Sequence, residues 1–148
     1  IEDACLVLKS GYSGKCGLFD LSDGKQVIDF RYDDIILLGF NRALGKDGSR
    51  RYLLDTSTGD VIASLPPNIG AAHFNETPVT WIFRAKSYYG IIDEEGNILY
   101  EDAKDPLTGV TKFRHGFSGG QKDNKKWGIL KSDGTWLVHP TYDYIKLL

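Results

Sequence analysis

The residues of this sequence with the right types for chemistry are its histidines, its neighbouring carboxylates and its two cysteines. His73, His115 and His139 lie far apart. A zinc site would need them to converge with a fourth ligand, and the chain has neither an H-x3-H nor a C-x2-C spacing. They are expected to be exposed or locally bonded imidazoles. Asp33-Asp34, Glu94-Glu95 and Glu101-Asp102 are adjacent carboxylates. Catalytic pairs of the glycosidase type face each other across about 5 to 10 Å. Neighbours along a strand point to opposite faces instead, so these read as solvated charge. No G-x-S-x-G elbow is present, and "GFSGGQKDNKKWG" (Gly116 to Gly128) is glycine-rich without the G-K-[ST] of a phosphate loop. The expectation is therefore no catalytic residue, no cofactor and no metal ligand.

Cys5 and Cys16 frame "CLVLKSGYSGKC". A hairpin turning near Gly11 to Gly14 places Cys16 across from Lys9, and Cys5 then lies on the order of 13 Å away at strand rise. A disulfide needs Cα atoms within about 7 Å. Two buried free thiols are expected, which favours the cytoplasm.

What must position such residues is a set of repeats. Four segments align on a turn: "KCGLFDLSDGKQVI", "RRYLLDTSTGDVIA", "YYGIIDEEGNILY" and "KWGILKSDGTWLV". Their turn glycines are Gly24, Gly59, Gly96 and Gly134, spaced 35, 37 and 38 residues apart. Asp, Ser and Thr in each turn cap backbone groups, and the glycine supplies a positive φ. Apolar, branched and aromatic runs flank every turn, as strands require. A further strand precedes each hairpin: "ACLVLKS", "NRALGKD", "TPVTWIFRAK" and a weak "FSGGQKD". No segment carries a helical period over three turns, and "EDAKDPLTG" (Glu101 to Gly109) holds at most one helical turn. The expected fold is all-β: four tandem three-stranded antiparallel meanders in a single domain, 1–148, with repeats near 1–39, 40–74, 75–113 and 114–148. Either an open array or a small propeller-like closure fits. The apolar ending "YIKLL" is not the polar cap of an open array.

Tyr32-Asp33 and Tyr142-Asp143 each follow their turn glycine by eight residues, and Asn68 and Asp105 fill the same acidic slot elsewhere. An Asp or Asn there can bond its own downstream backbone and turn the chain. The fourth segment resembles the WG-repeat family of bacterial proteins, through Lys126-Trp127-Gly128-Ile129, Lys131-Ser132-Asp133-Gly134 and His139-Pro140-Thr141-Tyr142-Asp143. The third segment keeps Tyr89-Gly90 and Asp93, the first has Cys16-Gly17, and the second has Arg51-Tyr52 where the glycine is lost. The resemblance implies repeated β structure and protein binding, and no active site.

Function is expected at the surface. "TPVTWIFRAKSYYG" has more large apolar residues than one buried face can take, which makes Trp81, Phe83, Arg84, Tyr88 and Tyr89 candidate contacts. Glycine within the "FSGGQ" strand signals a bulge or a close approach. The basic residues around it add Arg114, His115, Phe117, Gln121, Lys122 and Lys125 as contacts for an acidic partner. A formal charge of −2 gives no reason to expect nucleic acid or a membrane surface as partner, and no apolar run approaches the ~18 residues of a membrane helix. The expected function is a non-catalytic protein-binding module, in its sharper form an immunity protein that plugs the active site of a cognate bacterial toxin. The alternative is an enzyme or small-ligand binder, or a calcium site formed where Asp33, Asn68, Asp105 and Asp143 converge.

Overall fold

The computed structural model describes residues 5–74, 77–85 and 87–146. The first four residues, Lys86 in the "AKSYY" turn, and the leucines that end "YIKLL" lie outside the described set. Two compact units divide the chain, Ile1–Ile69 and Gly70–Leu148. Among the described residues every named element is a strand, and every pairing is antiparallel.

The first unit holds two sheets. One runs β1 (Cys5–Lys9), β2 (Cys16–Asp20), β3 (Gln26–Tyr32), and the next runs β4 (Asp34–Gly39), β5 (Arg42–Asp47), β6 (Arg50–Asp55), β7 (Val61–Leu65). The second unit repeats the plan with β8 (Gly70–Ala71), β9 (Val79–Arg84), β10 (Ser87–Asp93), β11 (Ile98–Glu101), and then β12 (Gly109–Val110), β13 (Phe117–Gln121), β14 (Trp127–Lys131), β15 (Trp136–Tyr142). The four expected meanders are present. Three of them gain a leading fourth strand, β4, β8 or β12. The chain leaving one sheet pairs with the edge of the next before turning back, so "DIILLG" is the leading strand of the second sheet. "EDAKDPLTG" forms no helical turn; Asp102 Oδ1 accepts the N–H groups of Lys104 (3.2 Å) and Asp105 (3.0 Å) in a side-chain-closed bend.

Lys9 pairs with Cys16, and Cys5 pairs with Asp20, so the two thiols sit at opposite ends of the β1–β2 ladder. Both are free. Cys16 is buried in the place where the fourth sheet has Trp127.

Each turn glycine has a positive φ: 73° at Gly24, 80° at Gly59, 81° at Gly96 and 85° at Gly134. The loops come in two sizes. In the first unit Gly24 N–H donates to Asp20 O (2.9 Å) and Gly59 N–H donates to Asp55 O (2.8 Å). In the second unit the loops are one residue shorter, with Gly96 N–H bonded to Asp93 O (3.1 Å) and Gly134 N–H to Lys131 O (3.0 Å). Carboxylates organise them. Asp20 Oδ1 accepts the Ser22 N–H and hydroxyl, which holds its pKa below the usual carboxylate range. Asp133, in the sheet where Lys131 replaces the leading Asp, is lowered in the same way by Thr135.

The glycine of the Trp-Gly pair has a separate cause. The ladders β2–β3 and β14–β15 both break register at Gly17 and Gly128. The bulged partner strand presses its backbone onto these glycines. An added Cβ would meet the Ile28 carbonyl at 2.7 Å from Gly17, and would overlap the Val138 carbonyl and the His139–Pro140 peptide at Gly128. In the second sheet β6 and β7 stay in register from Arg51 through Leu53, and there a Tyr52 side chain is tolerated.

Tyr32 and Asp33 join the two sheets of the first unit. The Tyr32 ring is buried against Gly45, where an added Cβ would lie 2.9 Å from it, and it meets the Tyr52 ring edge-on at 6.1 Å. It belongs to a core of Cys16, Leu18, Ile28, Ile35, Ala43 and Leu54. Asp33 does not bond its own downstream backbone as expected. Its carboxylate pairs with Lys15 of the preceding sheet and accepts the Gly48 N–H of the following one at 2.7 Å. The Lys15 hydrogen bond, helped by Gly48, lowers the Asp33 pKa, and Asp33 raises that of Lys15.

Two outcomes follow from these contacts. At Gly24 nothing lies within 4 Å of an added Cβ, whereas at Gly59 it overlaps the Val27 carbonyl. Gly24→Ala should cost about 1 kcal/mol, for its left-handed backbone alone. Gly59→Ala should cost roughly 3 kcal/mol or more by urea denaturation, because strain and overlap add. Asp33 has a lowered pKa, so its contribution is present above the ordinary carboxylate range and is lost as pH falls through the folded value. The Lys15 contribution is present below the ordinary lysine range and is lost as pH rises through its raised value. Asp33→Asn should therefore flatten both limbs of the stability profile measured against pH, most visibly the acid one.

Candidate protein-binding surface

The strand expected to make contacts is a core strand. Val79, Thr80, Trp81 and Ile82 of β9 are all buried. Trp81 is 1% exposed, stacks on Phe113 at 5.5 Å, and donates its indole N–H to Ser118 Oγ at 2.9 Å. On the opposite face the Thr80 hydroxyl donates to Ala72 O at 2.7 Å. The sequence argument failed because it allowed one buried face, whereas β9 lies inside a four-stranded sheet and is covered on both. Tyr89 is also buried, and burial raises its pKa. Its hydroxyl has no hydrogen-bond partner among the described residues, while the Arg84 guanidinium lies 5.0 Å above its ring. Phe83 and Tyr88 are half-buried with rings 5.4 Å apart. Of the five candidates on this hairpin, Arg84 alone is exposed.

The glycine-rich strand β13 is likewise interior. Ser118, Gly119 and Gly120 are buried, and the missing side chains make room for neighbours. An added Cβ at Gly119 would overlap Ile145 Cδ1, and one at Gly120 would lie 2.5 Å from Leu130 and 2.9 Å from Leu107. The signal for close approach was sound; side chains make the approach, not a backbone. The basic residues do not form one patch. Lys112, Arg114 and His115 precede β13, and Lys122, Lys125 and Lys126 follow it. The five-residue strand separates the groups by roughly 16 Å. Lys122 bonds Asp105 Oδ2 (2.6 Å) and Lys126 pairs with Asp143. Phe117, Gln121 and Lys122 are half-buried, and Arg114, His115 and Lys125 are exposed.

The acidic slot is lined by lysine. Asp33, Asp105 and Asp143 face Lys15, Lys122 and Lys126, respectively. Asn68 takes φ 60° and donates its N–H to Ser49 O at 2.9 Å. Among the described residues no group of three His, Cys, Asp or Glu side chains comes together.

A surface feature that sequence reasoning missed is the tip of the β4–β5 hairpin. Phe40 and Asn41 form a two-residue turn with φ of 55° and 56°. A left-handed aromatic residue costs about 1 to 3 kcal/mol and persists only where its surroundings hold it. Asn41 O accepts the Thr56 N–H at 3.1 Å, which anchors the tip to the β6–β7 turn. Phe40 nonetheless leaves 42% of its surface exposed, and Leu21, Leu37 and Val61 in the same unit are also exposed. The matching turn of the fourth sheet is His115-Gly116, with φ of 53° and 83°, where Arg114 and Phe117 exchange both backbone hydrogen bonds at 2.8 and 2.9 Å. The only clue in the sequence is Asn41 after Phe40 in "GFNR", since Asn tolerates this conformation and Phe does not.

Residues 127–147 match the family described as the WG containing repeat. No curated protein matches the sequence. Among solved structures, the computationally designed Ika8 protein is similar with a TM-score of 0.58 at 11% identity, covering 96% of this chain and 49% of its own. The present chain thus spans about half of that protein. The designed Ika4 protein is similar with a TM-score of 0.55 at 15% identity, covering 88% of this chain and 87% of its own. BamB from Moraxella catarrhalis has a TM-score of 0.50 at 16% identity, covering 90% of this chain and 39% of its own. At these identities the likeness concerns the fold, antiparallel sheets in tandem. The matched stretch, from Trp127 to Leu147, carries Gly128, Gly134 and Tyr142-Asp143.

Proposed function

We propose that this repeat module is a non-catalytic protein-binding domain whose contacts are made by exposed turns at the sheet ends, with Phe40 as the principal anchor. The supporting observation is the cost accepted at Phe40. A large aromatic ring stands at a hairpin tip, in a conformation that Asn or Gly would take without strain, and remains substantially exposed. The exposed 42% of its surface is area that a partner can still bury. An aromatic side chain on a two-residue tip tied to a second turn is a rigid anchor, and such residues dominate binding energy when a partner buries them. Arg114 and His115 stand at the corresponding turn of the second unit and supply polar contacts. In the narrower form of the proposal the partner is a bacterial toxin, and the turns cover its active site.

The test separates binding from folding. Phe40→Asn should leave stability within about 1 kcal/mol of wild type, since relief of the strain offsets the contacts that the ring gives up. The same variant should weaken binding to a partner isolated with the wild-type chain by about tenfold or more. A loss of stability of several kcal/mol would mark Phe40 as a packing residue and would end the proposal. In the toxin form, co-expression of the chain should rescue cells that express the partner, and Phe40→Asn should rescue them less.

A further inference from the structure

We infer that β7, the last strand of the second sheet, accepts an extended segment of another protein as an added antiparallel strand, one that carries branched apolar residues and then a basic residue. Each sheet ends on a strand that pairs along one side only among the described residues: β3, β7, β11 and β15. Such an edge displays unpaired N–H and C=O groups, and proteins blunt it with charge, proline or irregular backbone. Five residues beyond the turn glycines stand Asp29, Ser64, Glu101 and His139, all exposed. The four places are equivalent, since each follows the residue paired with Leu18, Leu53, Ile91 or Ile129. β3 carries Arg31 as well, and in β15 Pro140 follows His139. Of these four strands β7, "VIASL", is the one with no charged residue, histidine or proline.

The backbone of this edge is set for pairing. Asp55 N–H donates to Asp60 O at 2.9 Å, so Leu54 and Val61 face each other with no bond between them. A bulge follows, with Ile62 and Ala63 set against Leu53, and the ladder resumes as Tyr52↔Ser64 and Arg51↔Leu65. Alternation makes Tyr52↔Ser64 the next unbonded pair, which turns both the N–H and the C=O of Ser64 away from β6. An incoming strand takes both groups. Val61, 46% exposed, and the half-buried Ile62 offer apolar area beside it. Asp60 stands exposed where β7 begins, and its carboxylate has no ion-pair partner among the described residues. The segment that fits is therefore branched and apolar along Val61 and Ile62, and basic beside Asp60. Main-chain bonds at an open edge supply affinity, and alternate side chains supply the choice of partner. A second copy of β7 fits less well. Residues 60–67, "DVIASLPP", hold no basic residue to meet Asp60, and a two-fold pairing sets one bulge against another. The Phe40 tip follows β4, the opposite edge of the same sheet, so this contact is separate from the one proposed above.

The probe is the capped peptide TVTVTK, added to the whole chain and followed by nuclear magnetic resonance. The amide signals of Val61 and Ser64 should shift. At about ten times the Kd of the peptide, hydrogen exchange at the Ser64 amide should slow about tenfold. Ser64→Pro removes this donor and breaks no ladder bond, so it should abolish the shift at Val61 with circular dichroism unchanged. Ser64→Lys, an exposed charge of the kind that blunts an edge, should weaken binding about tenfold or more. The peptide TVTVTE should bind about threefold more weakly than TVTVTK, the scale of one exposed charge pair. Phe40→Asn should change none of these values. The inference is overturned by an absence of shifts at Val61 and Ser64 in about 1 mM peptide, by wild-type binding in Ser64→Pro and Ser64→Lys, or by equal binding of the two peptides. Self-association in sedimentation that Ser64→Pro abolishes would also overturn it, because a second copy would then occupy β7.

Discussion

The contact on which the first unit depends is the one made by Tyr32 and Asp33, the two residues between consecutive sheets. A lone antiparallel meander has an apolar face with nothing over it. Tyr32 closes that face by lying on the bare backbone of Gly45, while Asp33 holds Lys15 behind it and the Gly48 amide ahead. Apolar cover and polar tie therefore come from adjacent positions. Tyr32 is the last residue of β3 and Asp33 the bend after it, so the ring enters the core while the carboxylate stays outside it, between Lys15 and the Gly48 amide. Ile35 and Ala43 from one sheet and Cys16 and Leu18 from the other join Tyr32 in one buried cluster.

Glycine does three different jobs around that frame. At the turns it supplies a left-handed backbone. At Gly17 and Gly128 it yields space to a bulged partner strand. At Gly45, Gly119 and Gly120 it receives a side chain from elsewhere in the same unit. The second job explains why Trp-Gly is a durable pair in the fourth segment and why Tyr52 can interrupt the pattern in the second, where the ladder has no bulge at that point.

Much of the fold was legible in the sequence because its cues are local. The turn residues Asp20, Ser22 and Gly24 fold on themselves, so their pattern survives in each copy and can be aligned by eye. The register of Lys9 opposite Cys16 followed from the turn glycines alone. The leading strands were not legible, since "DIILLG" pairs with a sheet it precedes and carries no turn signal of its own. The candidate contacts fared worst. Whether Trp81 faces solvent is decided by Phe113 and Ser118, more than thirty residues away, and no local pattern reports that. The strained tip at Phe40 was hidden for the converse reason: it lies in a backbone angle, not in a residue type.

All named ladders join strands that are neighbours in the sequence. A chain of this kind pays little loop-closure entropy before its first hydrogen bonds form. During synthesis each sheet can be completed soon after its last strand leaves the ribosome, without waiting for distant residues. The vulnerable species is then a nascent chain ending just after the first sheet, with Tyr32 still uncovered until β5 brings Gly45 beneath it.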